Sequence, residues 1–409
     1  MTTITNASFL SRPWPVITIL ALAVLLVKGA WFSASAVVPA LTAEWGLDDA
    51  SRAWLTMSVQ LGFACGAFVS AVLGLADRWP SHRLFAGSAW AAALCTILIG
   101  LVANGPAPAV ILRVLTGMAL AGVYPVGMKI MATWTNRERG LAIGMLVGAL
   151  TLGSASPHLL NVIGGIGDWQ RTLLLAGGIA AVGGAIVAVA IREGPLQTAA
   201  PRFHWRHVTA ILRERPILLA NLGYLGHMWE LYAAWTWLPL FLLASFEARG
   251  IAAYWAGLVA FAAIGIGGIG CIVAGALADW LGRTTITIAS MAISSGCALV
   301  IGMTFGGNPW LTTGIALLWG LTIIADSAQF STAISELAPP GLIGTALALQ
   351  TSLGFLLTLI TIWLIPPLVA LVGWHWAFSI LAIGPVIGMW AMMTLRRSPA
   401  AARLAGGRR

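Results

Sequence analysis

A chain that repeatedly offers apolar runs of about 20 residues has few ways to fold, because in hydrocarbon every backbone N–H and C=O must be satisfied within helices or a closed barrel. Such runs occupy residues 15–41, 53–76, 83–103, 107–132, 139–163 and 171–191, then 216–244, 253–278, 283–304, 309–336, 341–368 and 373–395. At about 1.5 Å per residue, each can cross a hydrocarbon core of roughly 30 Å. The reading is an all-α integral membrane protein of twelve transmembrane helices. Charged residues are 9% of the 409 and hydrophobic ones 59%, so a soluble fold could not cover its surface.

The runs fall into two sets of six. Aligning Asp77 with Asp279 gives an offset of 202; Cys95 then falls on Cys297, and Trp169 meets Trp374 at an offset of 205. A duplicated unit follows: two pseudo-symmetric six-helix bundles at 1–191 and 216–395, a basic linker at 192–215 and a tail at 396–409. The N-terminus has one Arg and no small-residue cleavage site, so the first run reads as a transmembrane helix and not a removable signal. Cys65, Cys95, Cys271 and Cys297 lie inside apolar runs and read as small packing residues.

Orientation follows from the positive charges, which favour cytoplasmic loops. With both termini inside, sixteen of the 22 Lys and Arg fall on the cytoplasmic side; only Arg52, Arg171 and Arg249 fall outside. The location expected is a cytoplasmic (inner) membrane, crossed many times. This asymmetry also accounts for the net charge of +9. Nucleic-acid binding would need a basic face on a folded polar domain, for which a 24-residue linker is too short.

The stretch GALADWLGR, Gly275 to Arg283, closes one apolar run, and GLADRWPSHR, Gly74 to Arg83, closes its counterpart. With twelve helices in two repeats and a basic central loop, this G-x-L-A-D-x-x-G-R pattern resembles the major facilitator superfamily. Gly275, Asp279, Gly282 and Arg283 fit throughout; the earlier copy keeps Asp77 and Arg78 but has Pro80 and Ser81 where a glycine is expected. A carboxylate at a helix end can accept hydrogen bonds from a neighbouring helix N-terminus and pair with Arg. These residues therefore read as a conformational latch that holds while the two bundles are closed on that side. Its expected members are Asp77, Arg78 and Arg83 with Glu138 and Arg139 in the first half, and Asp279 and Arg283 with Glu336 in the second. The alternative is ordinary solvated loop charges.

Ionisable groups at membrane depth cost at least ~2.5 kcal/mol and point to substrate or coupling-ion sites. Lys28 lies too deep to snorkel, with Trp31 on its face; it needs a carboxylate partner or an anionic substrate. Arg113 shares a row with Tyr124. The resemblance implies a coupling or substrate role for Arg113, against a plain reach up to water. His158 follows the displaced Pro157 and titrates near neutral pH or simply packs. Tyr224, His227 and Glu230 lie on successive turns of the seventh run, where Gly223 and Gly226 permit a break or close packing. Asp326 and Gln329 sit in the tenth run. Glu230 and Asp326 formally balance Lys28 and Arg113, which allows internal ion pairs that rearrange during transport.

The chain has no phosphate-binding loop, no metal-ligand cluster and no convergent nucleophile and base, so neither an enzyme nor a cofactor is expected. The expectation is a secondary transporter that moves a small organic or inorganic anion with protons by alternating access, as a functional monomer in a lipid bilayer. The fourth and fifth helices are similar to those of cyanate and nitrate/nitrite permeases. Two alternatives are proton-coupled export of hydrophobic compounds and a membrane sensor or structural protein that does not transport.

Overall fold

The first apolar run is not one helix. It forms α1 (Pro13–Phe32), tightens into a 3-10 turn at Ser35–Val37 and restarts as a short helix, Val38–Trp45. Pro39 explains the restart, because it has no N–H to give the preceding turn but suits the first turn of a new helix. Gly46, at φ 62, stops it. The computed structural model describes residues 12–73, 75–135, 139–165, 167–196, 211, 213–339 and 342–408, with side chains described for all of these but 71, 76, 77, 139 and 140. Among the described residues all regular structure is helical.

The N-terminal half continues with α2 (Asp49–Leu73), α3 (Ser81–Val102), α4 (Pro106–Ala132), α5 (Arg139–Gly164) and α6 (Trp169–Ala190). The C-terminal half supplies α7 (Arg215–Glu247), α8 (Ala253–Leu281), α9 (Arg283–Val300), α10 (Pro309–Leu337), α11 (Ile343–Val372) and α12 (Trp374–Arg397). Eleven of the helices are long and apolar enough to cross a membrane. The twelfth, α7, has 33 residues, and its asparagine, histidine, glutamate, tyrosines and tryptophans dilute its hydropathy. It runs unbroken; Gly223 and Gly226 serve close packing against Met392, Gly384 and Gly388 of α12.

The internal repeat is visible in the backbone. α4 breaks at Ala121–Val123, where Gly122 and Val123 donate to carbonyls only three residues back, ahead of Pro125. α10 breaks at Ile324–Asp326, 203 residues later, with the same three-residue bonds and no proline. There the Cys271 thiol of α8 donates at 3.3 Å to the Ile324 carbonyl, which also accepts from the Ser327 amide at 3.0 Å. The packing also repeats. A Cβ on Gly117 of α4 would overlap the Val59 carbonyl of α2, and one on Gly320 of α10 would overlap the Ala263 carbonyl of α8. Both clashes are with backbone, so neither can be relieved by a rotamer change. Gly320→Ala is expected to cost roughly 3 kcal/mol or more, read as loss of the monodisperse peak on size exclusion; an unchanged melting temperature contradicts the packing.

The halves meet along two seams, α2 against α11 and α5 against α8. Gly148 and Gly268 face each other in the second seam, each Cβ position 3.0–3.1 Å from the other's carbonyl oxygen, so the backbones approach as only glycines allow. Within the N-terminal half, Glu193 beyond α6 ties back to the start of α3: its Oε1 accepts from the His82 amide at 3.2 Å, and its Oε2 lies 2.9 Å from His82 Nδ1. Burial raises the Glu193 carboxyl, but hydrogen bonds from its own amide and from His82 outweigh this and leave it below its ordinary value. The contribution to stability is therefore full above the ordinary glutamate range and is lost as pH falls through the lowered value. Glu193→Gln is expected to remove that acid-side loss of melting temperature; an identical acid profile in the variant contradicts it.

Candidate functional site

α1 carries Lys28 into the seam between the halves. Its side chain is 4% exposed, and Nζ stands 3.3 Å from the centroid of the Trp31 ring and 5.9 Å from that of Phe63. Ring faces attract a cation electrostatically. Among the described residues no carboxylate pairs with it. Gly153 of α5 makes the room, since a Cβ there would lie 2.9 Å from Lys28 Cβ. Trp31 in turn packs on Phe63 (5.1 Å), Tyr232 (5.9 Å) and Phe355 (5.3 Å), and Phe63 meets Phe355 at 4.5 Å. Rings from α1 and α2 thus close on rings from α7 and α11, and Lys28 sits at the edge of that box.

Arg113 does not reach water. It is fully buried and donates to the Leu55 carbonyl at 3.1 Å, to the Ala30 carbonyl at 2.8 Å and to the Trp31 carbonyl. The last two belong to the end of α1, where carbonyls lose their helical partners. The guanidinium therefore clamps the backbone that presents Lys28 and Trp31.

The acidic groups stay in the C-terminal half. Glu230 accepts from Ser294 at 2.9 Å and from Trp319 Nε1 at 2.7 Å, both neutral donors. Asp326, at the α10 break, has Oδ1 2.9 Å from His227 Nδ1. The two atoms are out of line for a hydrogen bond, so they touch without one and Oδ1 accepts none. The internal ion pairs expected among Lys28, Arg113, Glu230 and Asp326 are therefore not formed. The physical reason is local supply: rings and backbone carbonyls surround the two cations, while indole, hydroxyl and imidazole surround the two carboxylates.

Several buried polar atoms around this region have no protein partner: both amide atoms of Gln60 and of Gln350, Asn221 Oδ1, His227 Nε2, and the indole nitrogens of Trp31 and Trp235. A buried unsatisfied group is costly unless something binds it. Gln60 and Phe63, which no motif in the sequence marks, are one turn apart on α2 across the seam from Phe355. The only signal for Gln60 is an amide inside an apolar run. Tyr224 packs 6.1 Å from both His227 and Phe330, and half-buried Tyr124 opens the second segment of α4. His158 is buried on α5, its carbonyl facing Gly257 of α8 and its Nε2 unpartnered.

Gln329, expected among the substrate groups, instead accepts from Arg283 at 2.9 Å. Arg283 also donates to both Glu336 oxygens, at 2.8 and 2.7 Å, and lies 3.3 Å from Asp279. Gly282, at φ 95, makes the α8–α9 turn that places Asp279 beside Arg283, and Gly275 is buried one turn before Asp279. The tail folds over the cluster: the Ala405 amide donates to Glu336 at 3.1 Å and Arg408 to the Asp279 carbonyl at 2.9 Å. Among the described residues every member belongs to the C-terminal half or the tail, so this network braces one bundle and does not tie the two together. In the first half Arg78 and Arg83 are exposed, while Glu138 and the side chains of Asp77 and Arg139 lie outside the described residues.

Residues 20–362 match the family model described as Major Facilitator Superfamily. The chain is 26% identical to the probable galactarate/D-glucarate transporter GudP of Escherichia coli (strain K12) over 60% of its length, spanning 62% of that relative. It is 24% identical to the protein of the same description from Pseudomonas putida, covering 82% of this chain and 81% of the relative. In fold it is similar to a point mutant of the nucleoside transporter NupG, with TM-score 0.72 at 13% identity over 94% of this chain and all of the other. It is also similar to a bacterial homologue of the human lysosomal transporter Spinster in an inward-facing, unoccupied conformation, with TM-score 0.68 at 14% identity over 95% and 99%. Both GudP relatives are described as probable galactarate/D-glucarate transporters, neither as a cyanate or nitrate permease.

Proposed function

Because the chain belongs to the Major Facilitator Superfamily, a family of secondary transporters, we propose that it carries a small organic anion across the cytoplasmic membrane together with protons. The observation that carries the anion is Lys28, an ammonium taken out of water at the seam of the halves with aromatic faces beside it and, among the described residues, no carboxylate. A substrate carboxylate supplies the missing countercharge, and the amides of Gln60 and Gln350 with the indole of Trp31 supply partners for its hydroxyl or carboxylate oxygens. The description of the two GudP relatives as probable galactarate/D-glucarate transporters favours a carboxylated organic compound over an inorganic ion.

Protons are assigned to the C-terminal half. Asp326 with His227, and Glu230 with only neutral donors, are carboxyl groups at membrane depth with no fixed cation, the arrangement in which a proton is the natural counter-ion. Alternating access then moves the bundles about the two seams. In this reading the protein works as a monomer, with both termini cytoplasmic.

The test is uptake of labelled carboxylates, D-glucarate among them, into proteoliposomes under an imposed pH gradient. Saturable, gradient-dependent accumulation is expected. Asp326→Asn is expected to abolish gradient-driven accumulation while keeping exchange of substrate for substrate. Dye expulsion without anion uptake points to export of hydrophobic compounds, and no flux of any solute points to a protein that does not transport; either defeats the reading.

A further inference from the structure

On the outer surface of the C-terminal bundle, two recesses flank the end of α12. One, of about 640 Å³, lies against α9 and is lined by Thr285, Ile288, Ala289, Ala292 and Met393 with Arg396 and Arg397. The other, of about 570 Å³, lies against the start of α7 and holds Arg215, Leu219 and Thr394 with the same Arg397. Arg396 donates to Thr285 Oγ1, which tilts its guanidinium across the first recess. Among the described residues no carboxylate pairs with Arg215, Arg396 or Arg397, and Glu214, next to Arg215, reaches none of the three.

The vertical order of these groups is informative. Three cations stand where α7 begins and α12 ends, at the limit of the membrane-spanning segments. Ile288, Ala292 and Met393 line the first recess on its membrane side, and Ile293 of α9 with Ile387 and Trp390 of α12 are exposed on the same bundle. A soluble anion would meet only the cations, and a neutral lipid only the apolar wall. An amphiphile with a negative head meets both.

We propose that the recess against α9 seats an anionic phospholipid, with its phosphate at Arg396 and Arg397 and an acyl chain along Ile288, Ala292 and Met393. The site is independent of the transport reading: it lies on the lipid-facing side of the bundle and shares no residue with the seam.

The test is native mass spectrometry of the purified full-length protein mixed with phosphatidylglycerol or with phosphatidylcholine. Preferential retention of phosphatidylglycerol is expected. Arg397→Gln, at an exposed side chain with no role in the fold, is expected to reduce it roughly fivefold, and Arg396→Gln/Arg397→Gln by more, from the worth of one cation near a charged headgroup. Ala292→Trp, which fills the apolar part and leaves the cations, is expected to reduce it as well, and inorganic phosphate at the lipid's concentration is expected not to displace it. Equal retention of the two lipids, unchanged retention in Arg397→Gln or Ala292→Trp, or displacement by phosphate overturns the proposal.

Discussion

Lys28→Ala is expected to reduce anion uptake by roughly 10²–10³-fold while leaving the protein at least as heat-stable as before. The first effect follows because a carboxylate held in the seam would lose its only countercharge, and stripping one partner from a buried pair costs about 3–5 kcal/mol at 1.4 kcal/mol per factor of ten. The second follows because without substrate the ammonium is an expense. It is 4% exposed, pairs with no described carboxylate and is offset by ring faces alone, against a cost of at least ~2.5 kcal/mol for placing it there. Uptake and melting temperature measured on the same preparation separate the two. A residue kept for stability would lower both together, so a variant that melts well below the parent contradicts the assignment. Lys28→Arg keeps the charge, but it is expected to recover only part of the uptake because the larger head must fit over Trp31.

Arg113→Ala is expected to do the reverse and remove folded protein altogether. The fully buried guanidinium serves three carbonyls, those of Ala30, Trp31 and Leu55. Each of these charge-assisted hydrogen bonds is worth about 1.5–3 kcal/mol. The sum, with the cavity left behind, rivals the about 5–15 kcal/mol net stability of a typical protein. Arg113→Lys is expected not to rescue it, because one ammonium cannot span acceptors on both α1 and α2 as a planar fork does. Size exclusion of the detergent extract checks this. Recovery of a monodisperse Arg113→Ala protein that melts like the parent but fails to transport would return Arg113 to the substrate site.

The fold was legible because a membrane-spanning helix is specified by composition and length, both of which survive without knowledge of partners. The duplication was legible too: Trp169 and Trp374, matched in the sequence, open α6 and α12. What composition hides is the partner. From the sequence, Arg113 and Lys28 are both buried cations facing two carboxylates; in space one is consumed by backbone and the other is not. Gln329 and Asp326 lie one turn apart on α10, yet the break between α10's two segments and the reach of Arg283 send one amide to the brace and leave the carboxylate with His227. The break itself was unreadable in α10, which has no proline there, although Gly122 and Pro125 mark its twin in α4. Gln60 is not legible in the sequence, because nothing in an apolar run distinguishes an amide that bonds a neighbouring helix from one with both atoms free. In the second half Asp279, Arg283 and Glu336 do come together, but their connectivity within one bundle and under the tail depends on the Ala405 and Arg408 contacts, which no spacing rule supplies.

The central claim is that the unpaired charge of Lys28 selects an anion. It is tested most directly by uptake into proteoliposomes of D-glucarate beside the uncharged hexitol of the same carbon skeleton, under one pH gradient, in the parent protein and Lys28→Ala. Saturable accumulation of the dicarboxylate alone, lost in Lys28→Ala, is the result expected. Equal uptake of the uncharged compound, or undiminished dicarboxylate uptake by Lys28→Ala, would contradict it.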